Sequence, residues 1–186
     1  MKDSFEKLPV DGTPVKLTVS SVIVEGKIPD SVMDTVDFPE DDEELDEYAP
    51  EDEDGPQKFE QVTVASYSEV DGRVTVTYDD SEVLEMPETL TQITFTADEP
   101  GCVSIIRSGA LSSMITVEEG KRNMGEYKFG PYSIPVSFYG RRVNNMVRDG
   151  VGVIELDYTV EMSGAGTSHT KMKLKLEKLP ASPVKA

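Results

Sequence analysis

One histidine, His169, and one cysteine, Cys102, are all that this sequence offers for soft metal ligation or for activating a nucleophile. A structural zinc site draws four such ligands, and a Ser-His-Asp or Cys-His arrangement needs a histidine beside the nucleophile. His169 shares its alternation with Lys171 and Lys173, which predicts a solvent-facing ring. Cys102 lies beside a turn without a second thiol to resolve it and reads as a small buried apolar residue. The acid pairs Glu118-Glu119 and Asp79-Asp80 are adjacent in strand or turn. Adjacent strand residues point to opposite faces, unlike the convergent carboxylates of glycoside hydrolysis. Acids distant in sequence can still converge, so that route stays open. Gly150-Val151-Gly152 and Gly164-Ala165-Gly166 lack the strand–loop–helix setting of a phosphate cradle. The expectation is therefore no catalytic residue, no metal site and no cofactor: not an enzyme.

Arg107 stands apart because it shares parity with Val103 and Ile105, on a face expected to be buried. An isolated buried charge is very costly, so the guanidinium requires a partner. A ligand carboxylate or phosphate held in a bidentate fork would serve. An internal Glu, a backbone carbonyl or a water at a rim would serve equally. Ser113 and Tyr127 have inward parity in the next two runs, which brings their hydroxyls toward Arg107. Arg107, Ser113 and Tyr127 are the candidate ligand-binding residues.

The elements that must position these groups are strands. Val15, Leu17, Val19, Ser21 and Ile23 alternate with Lys16, Thr18 and Ser20. Val74, Val76 and Tyr78 alternate with polar residues after an Asp71-Gly72 hairpin signal, and Ile93 and Phe95 sit among Gln92, Thr94 and Thr96. Ser113, Ile115 and Val117, then Ile134, Val136 and Phe138, continue the pattern. In the last hairpin Ile154, Leu156, Tyr158, Val160 and Met162 face one way, as do Met172, Leu174 and Leu176. Their neighbours are acidic on the first strand and basic on the second. Folding about Ala165 pairs Glu155 with Lys175, Asp157 with Lys173 and Leu156 with Leu174; a one-residue slip would set charge against core. No amphipathic helix of normal length occurs. The fold class is all-β: one antiparallel up-and-down barrel of about 8–10 strands, since consecutive hairpins pair in order and closure removes exposed edges. Such an interior is filled by side chains or holds one small ligand.

Charge marks the boundaries. The chain has 36 Asp+Glu and 18 Lys+Arg among 186 residues, a net charge of −18. Fourteen of the acids and none of the bases fall between Asp30 and Asp54. The reading is a flexible N-terminus over 1–14, one barrel domain over 15–178, an acidic and mostly disordered insertion over 28–57, and a flexible tail over 179–186. Asp52-Glu53-Asp54-Gly55 fails as a calcium loop because Pro50 stands where the first ligand belongs. Nucleic acid is not an expected partner, for clustered cations are lacking. No apolar run approaches the roughly 18 residues of a membrane span, and the first residues lack the apolar stretch of a signal peptide. A reduced, cytoplasmic location is expected.

From Phe59 onward the order of motifs resembles a known family. Tyr78-Asp79-Asp80-Ser81-Glu82 leads into Thr91-Gln92-Ile93-Thr94-Phe95; Ile106-Arg107-Ser108-Gly109 is followed by Ser112-Ser113-Met114, Glu118-Glu119-Gly120-Lys121 and Tyr127. Together, over roughly 15–178, these are similar to the YwiB-like calycin-type β-barrel family of Gram-positive bacteria, a domain of unknown function. The acidic stretch departs from that pattern as an insertion, and Gly130-Pro131-Tyr132 replaces a Tyr-Gly turn. The resemblance implies a lipocalin-like barrel and no particular activity; a Gly-x-Trp signature is impossible without Trp. Three functions stay open. The first is a carrier or sensor for a small, partly apolar, anionic or lipid-like ligand, and this is the reading adopted. The alternative is a non-catalytic interaction module that uses the acidic loop or a barrel face toward an unknown protein partner. The third is an enzyme built on convergent carboxylates.

Overall fold

The computed structural model describes residues 12–26, 56–162 and 166–179. Ten strands make up these residues, with no helix among them: β1 (Thr13–Glu25), β2 (Gln57–Val70), β3 (Arg73–Asp79), β4 (Leu90–Thr96), β5 (Cys102–Ser108), β6 (Leu111–Glu118), β7 (Arg122–Phe129), β8 (Tyr132–Asn145), β9 (Gly152–Met162) and β10 (Gly166–Lys178). Each pairs antiparallel with its sequence neighbours, and β1 pairs with both β2 and β10, so the sheet closes on itself. The expected up-and-down barrel is what the chain forms. The Asp71-Gly72 signal is realised with positive φ at both residues, 52° and 76°, the twist that a two-residue hairpin needs. β1 begins at Thr13 rather than Val15, and Gln57 already belongs to β2. Residues 1–11, most of the acidic insertion (27–55) and most of the tail (180–186) lie outside the described residues.

Inward side chains divide the barrel along its axis. In one half Leu17, Ile93, Ile105, Ile115, Ile154 and Leu174 are each at most 1% exposed and fill the interior. Toward the other end Val19 and Ile23, Tyr78, Arg107, Leu111 and Met172 stand around a hollow. A barrel of this size thus has a plugged base and an open cup.

The β9–β10 register differs from the expected one by two residues. Leu156 faces Met172 rather than Leu174, Glu155 faces Lys173 and Asp157 faces Lys171. Parity is preserved, so apolar still meets apolar and acid meets base. Parity cannot distinguish two registers that differ by two. In the observed one Tyr158 faces Thr170, and their side chains share a hydrogen bond that the expected register would have denied them.

His169 corrects the sequence reading. It has outward parity but is only 5% exposed, and its Nε2 lies 2.5 Å from Asp157 Oδ1. Outward parity does not mean solvent at this part of the wall: its β1 partner Val24 and the nearby Val22 are buried too, at 8% and 3%. With Lys171 opposite Asp157, His169 is the diagonal neighbour of that carboxylate. Arg141 Nε approaches the same oxygen at 3.7 Å. Cys102 is half-buried, and burial pushes its thiol up.

The wall is weakest between β6 and β7, which pair only from Leu111–Phe129 to Ser113–Tyr127. Beyond that the Asn123 side chain donates to the Thr116 carbonyl at 3.1 Å in place of a ladder bond. The end of β6 crosses to β8 through a Glu119–Gly140 bridge. A Cβ at Gly140 would lie 2.3 Å from the Glu118 carbonyl oxygen, so only glycine permits that crossing.

Candidate functional site

One row of directly opposed residues runs around the barrel at the boundary between plug and cup. Tyr78 on β3 faces Thr91 on β4, Thr91 faces Arg107 on β5, Arg107 faces Ser113 on β6, and Ser113 faces Tyr127 on β7. Across the interior, β9 and β10 contribute Tyr158 and Thr170. Alternation fixes the facing of each residue, and closure of the sheet turns a flat row into a ring.

The three residues singled out from sequence are therefore neighbours, yet they do not all face one space. Arg107 and Tyr127 line a cavity of about 500 Å³. Ser113, 7% exposed, does not; with Arg107 it lines a groove of about 440 Å³ along the outside of the β6–β7 seam, beside Met114, Asn123 and Met124. Neither Ser113 Oγ nor Arg107 Nε has a hydrogen-bond partner among the described residues. Tyr127 is held edge-on against Phe138, with ring centroids 6.3 Å apart and planes at 88°.

Three further groups were not singled out from sequence. Asp80 follows Tyr78 by two residues and keeps its inward parity just past the end of β3. Its Oδ2 accepts from Thr91 Oγ1 at 2.9 Å and lies 3.6 Å from Arg107 Nε, an ion pair too long to be a hydrogen bond. The side chains of Arg107 and Asp80 are 14% and 6% exposed. Tyr78 and Tyr158 are the other two. The parity of Tyr78 and Asp80 was a usable signal, whereas nothing local to β9 could have placed Tyr158 opposite Arg107.

The β3–β4 connection carries more than Asp80. Ser81 N–H donates to Asp79 Oδ1 at 2.9 Å, and Thr89 N–H donates to Ser81 Oγ at 3.0 Å, which tie its two ends together. Val83, Leu84 and Met86 from this loop line the cavity above Arg107. The β5–β6 turn supports the loop at Gly109 (φ 126°), where a Cβ would lie 2.0 Å from the Glu88 carbonyl oxygen. The Arg107-Ser108-Gly109 motif thus joins a cation to the glycine that lets the loop lie close to it.

Electrostatically the cup has one cation and one carboxylate at its floor. Burial works against the Arg107 charge, but its neighbours, among them the Asp80 carboxylate, outweigh it and hold the guanidinium firmly protonated. Burial pushes the Tyr158 phenol up to about 12, with Tyr127 adding to the shift and Arg107 opposing it. Tyr78 is raised by burial and by Asp80, and Tyr127 by burial against the pull of Arg107. All three phenols are therefore neutral hydroxyls at ordinary pH and are able to donate. Walls of Ile23, Phe59, Phe129, Ile134 and Val160 make the remainder apolar. An arginine, neutral hydroxyls and an apolar wall can bind and orient an acidic head with a hydrocarbon body. Among the described residues no group of three His, Cys, Asp or Glu side chains could hold a metal ion.

Comparison with known proteins agrees with this architecture. The crystal structure of the YwiB protein from Bacillus subtilis superposes with a TM-score of 0.64 at 18% identity, covering 90% of this chain and 93% of that one. At that identity the likeness speaks for the fold. No curated protein matches the sequence. The model of a family described as a domain of unknown function, DUF1934, matches residues 46–174, which take in every strand from β2 to β9 and all the residues of the ring. On that match, the chain belongs to the DUF1934 family.

Proposed function

We propose that this barrel is a carrier or sensor that binds one small, partly apolar, anionic molecule in its cup and does no chemistry on it. The observation that carries this reading is Arg107: a largely buried guanidinium facing a cavity of about 500 Å³, its Nε lacking any hydrogen-bond acceptor among the described residues. Such a cation is costly unless something accepts from it. Asp80 at 3.6 Å offsets its charge without filling its Nε donor. A carboxylate on the body of a ligand would take the bidentate fork, while Phe59, Leu84, Phe129 and Met172 would cover the hydrocarbon. The size falls within the few hundred to a thousand cubic ångströms usual for small-molecule sites. In keeping with this role we place the protein in the cytoplasm, where a lone half-buried cysteine stays reduced.

Native mass spectrometry of the protein purified from its own host, followed by titration with dodecanoate, tests the reading. A retained acidic molecule, or saturable 1:1 binding of dodecanoate weakened at least tenfold in Arg107→Met, is expected. A folded protein that retains nothing and binds no apolar anion refutes it.

A further inference from the structure

We infer that the cup takes up one proton with each anion it binds, the proton being shared between Asp80 and the ligand's acid group. This rests on the function proposed above and adds a rule for its regulation: the affinity rises as the surroundings become more acidic, and the matching ligand is a weak acid.

The argument begins with charge balance at the floor. Arg107 from β5 and Asp80 from the β3–β4 loop make the site neutral before anything enters it. The other titratable groups facing them are the phenols of Tyr78 on β3, Tyr127 on β7 and Tyr158 on β9, all raised and uncharged. Thr91 on β4 and Thr170 on β10 contribute hydroxyls, and Glu60 of β2 lines the mouth on an exposed stretch of its strand. Among the described residues no second cation lines the cavity. A bound carboxylate would therefore be an extra negative charge on a guanidinium that already has one.

Two carboxylates on one guanidinium lie within about 4–5 Å of each other. At an effective dielectric constant near 20, their repulsion amounts to a several-hundred- to thousandfold penalty in the binding constant. Taking a proton at neutral pH onto a ligand carboxylate costs about a thousandfold. The two are similar, and desolvation decides between them: the charged alternative also strips water from an uncompensated anion beside a 6% exposed carboxylate. Protonation removes both penalties and converts the repulsion into an O–H···O hydrogen bond, as in paired acids that hold one proton between them. The proton comes from solvent; no other bond forms or breaks. Asp80 is poorly placed to avoid this by turning away, since Thr91 Oγ1 holds it and its own N–H donates to the Thr89 carbonyl at 3.0 Å.

Calorimetry of dodecanoate binding in two buffers of different ionisation enthalpy, repeated between about pH 6 and 8, reads the proton count directly on the wild-type protein. Close to one proton taken up per ligand is expected, with affinity falling about tenfold per pH unit. Asp80→Asn should abolish the uptake, flatten the pH dependence and bind more tightly than wild type at the alkaline end. Binding without proton uptake in the wild type overturns the coupling and leaves the carrier reading standing. Failure of dodecanoate to bind either wild type or Asp80→Asn removes the carrier reading and the coupling with it. Because the wild-type count is decisive alone, an Asp80 variant that does not fold would not shield the inference.

Discussion

Replacing Arg107 by Met probes the floor of the cup without a ligand. The substitution keeps an unbranched apolar stem of similar reach and removes the charge. Asp80, whose side chain is 6% exposed, would then keep the hydrogen bond from the Thr91 hydroxyl but lose its countercharge. At 3.6 Å and an effective dielectric constant near 20, the attraction lost is about 4–5 kcal/mol. Part of it is offset because the guanidinium's own desolvation cost disappears. Breaking buried pairs from one side costs roughly 3–5 kcal/mol, and the long contact puts this case near 3. Urea denaturation followed by far-UV circular dichroism measures the loss as a lower midpoint at unchanged slope. The double variant Arg107→Met/Asp80→Asn strands no charge and should return to within about 1 kcal/mol of wild type, a recovery of about 2 kcal/mol relative to Arg107→Met. If Arg107→Met alone is as stable as wild type, or if Asp80→Asn fails to rescue it, the pair is not the electrostatic unit described.

Four other outcomes follow from the geometry. Tyr158, raised to about 12 in the folded state, stabilises the fold below pH 10 and loses that contribution as pH climbs from about 10 to 12, by some 2–3 kcal/mol. Alkaline unfolding should accordingly shift to higher pH in Tyr158→Phe; an unchanged transition would show that burial of this phenol is not what titrates. Gly140→Ala forces a Cβ to within 2.3 Å of a backbone oxygen and should cost roughly 1–3 kcal/mol in thermal or urea unfolding, against no loss if the β6–β8 crossing gives way. His169→Phe leaves Asp157 without its 2.5 Å partner and should cost roughly 1–3 kcal/mol, with Asp157→Asn added on top costing less than it does alone; additive losses would mean that the two do not interact. Val160→Phe adds a ring to the cup and should abolish dodecanoate binding while leaving the circular dichroism spectrum unchanged, whereas retained binding would place the ligand elsewhere.

Alternation along each strand was enough to read the all-β class, the order of the hairpins and the inward face of Arg107, because side-chain facing has period two and depends only on neighbours along the chain. The same local rule brought Arg107, Ser113 and Tyr127 onto successive strands as cross-strand partners. It went no further. Ser113 lines the outer groove while its two partners line the cavity, because the β6–β7 ladder stops at that pair and the wall opens there. The β9–β10 register moved by two residues, a shift that parity cannot detect and that gives Tyr158 its Thr170 partner. His169 lies buried on the outer wall against Asp157, since facing outward specifies a direction and not what lies in it. Which half of the barrel is plugged and which is hollow depends on side-chain volumes from all ten strands meeting at one level. Placing Asp80 and Tyr158 around the Arg107 guanidinium likewise needed closure of the sheet. Facing is a property of each strand alone, and the sequence carries it; the distances between facings across the interior exist only once the ring is shut.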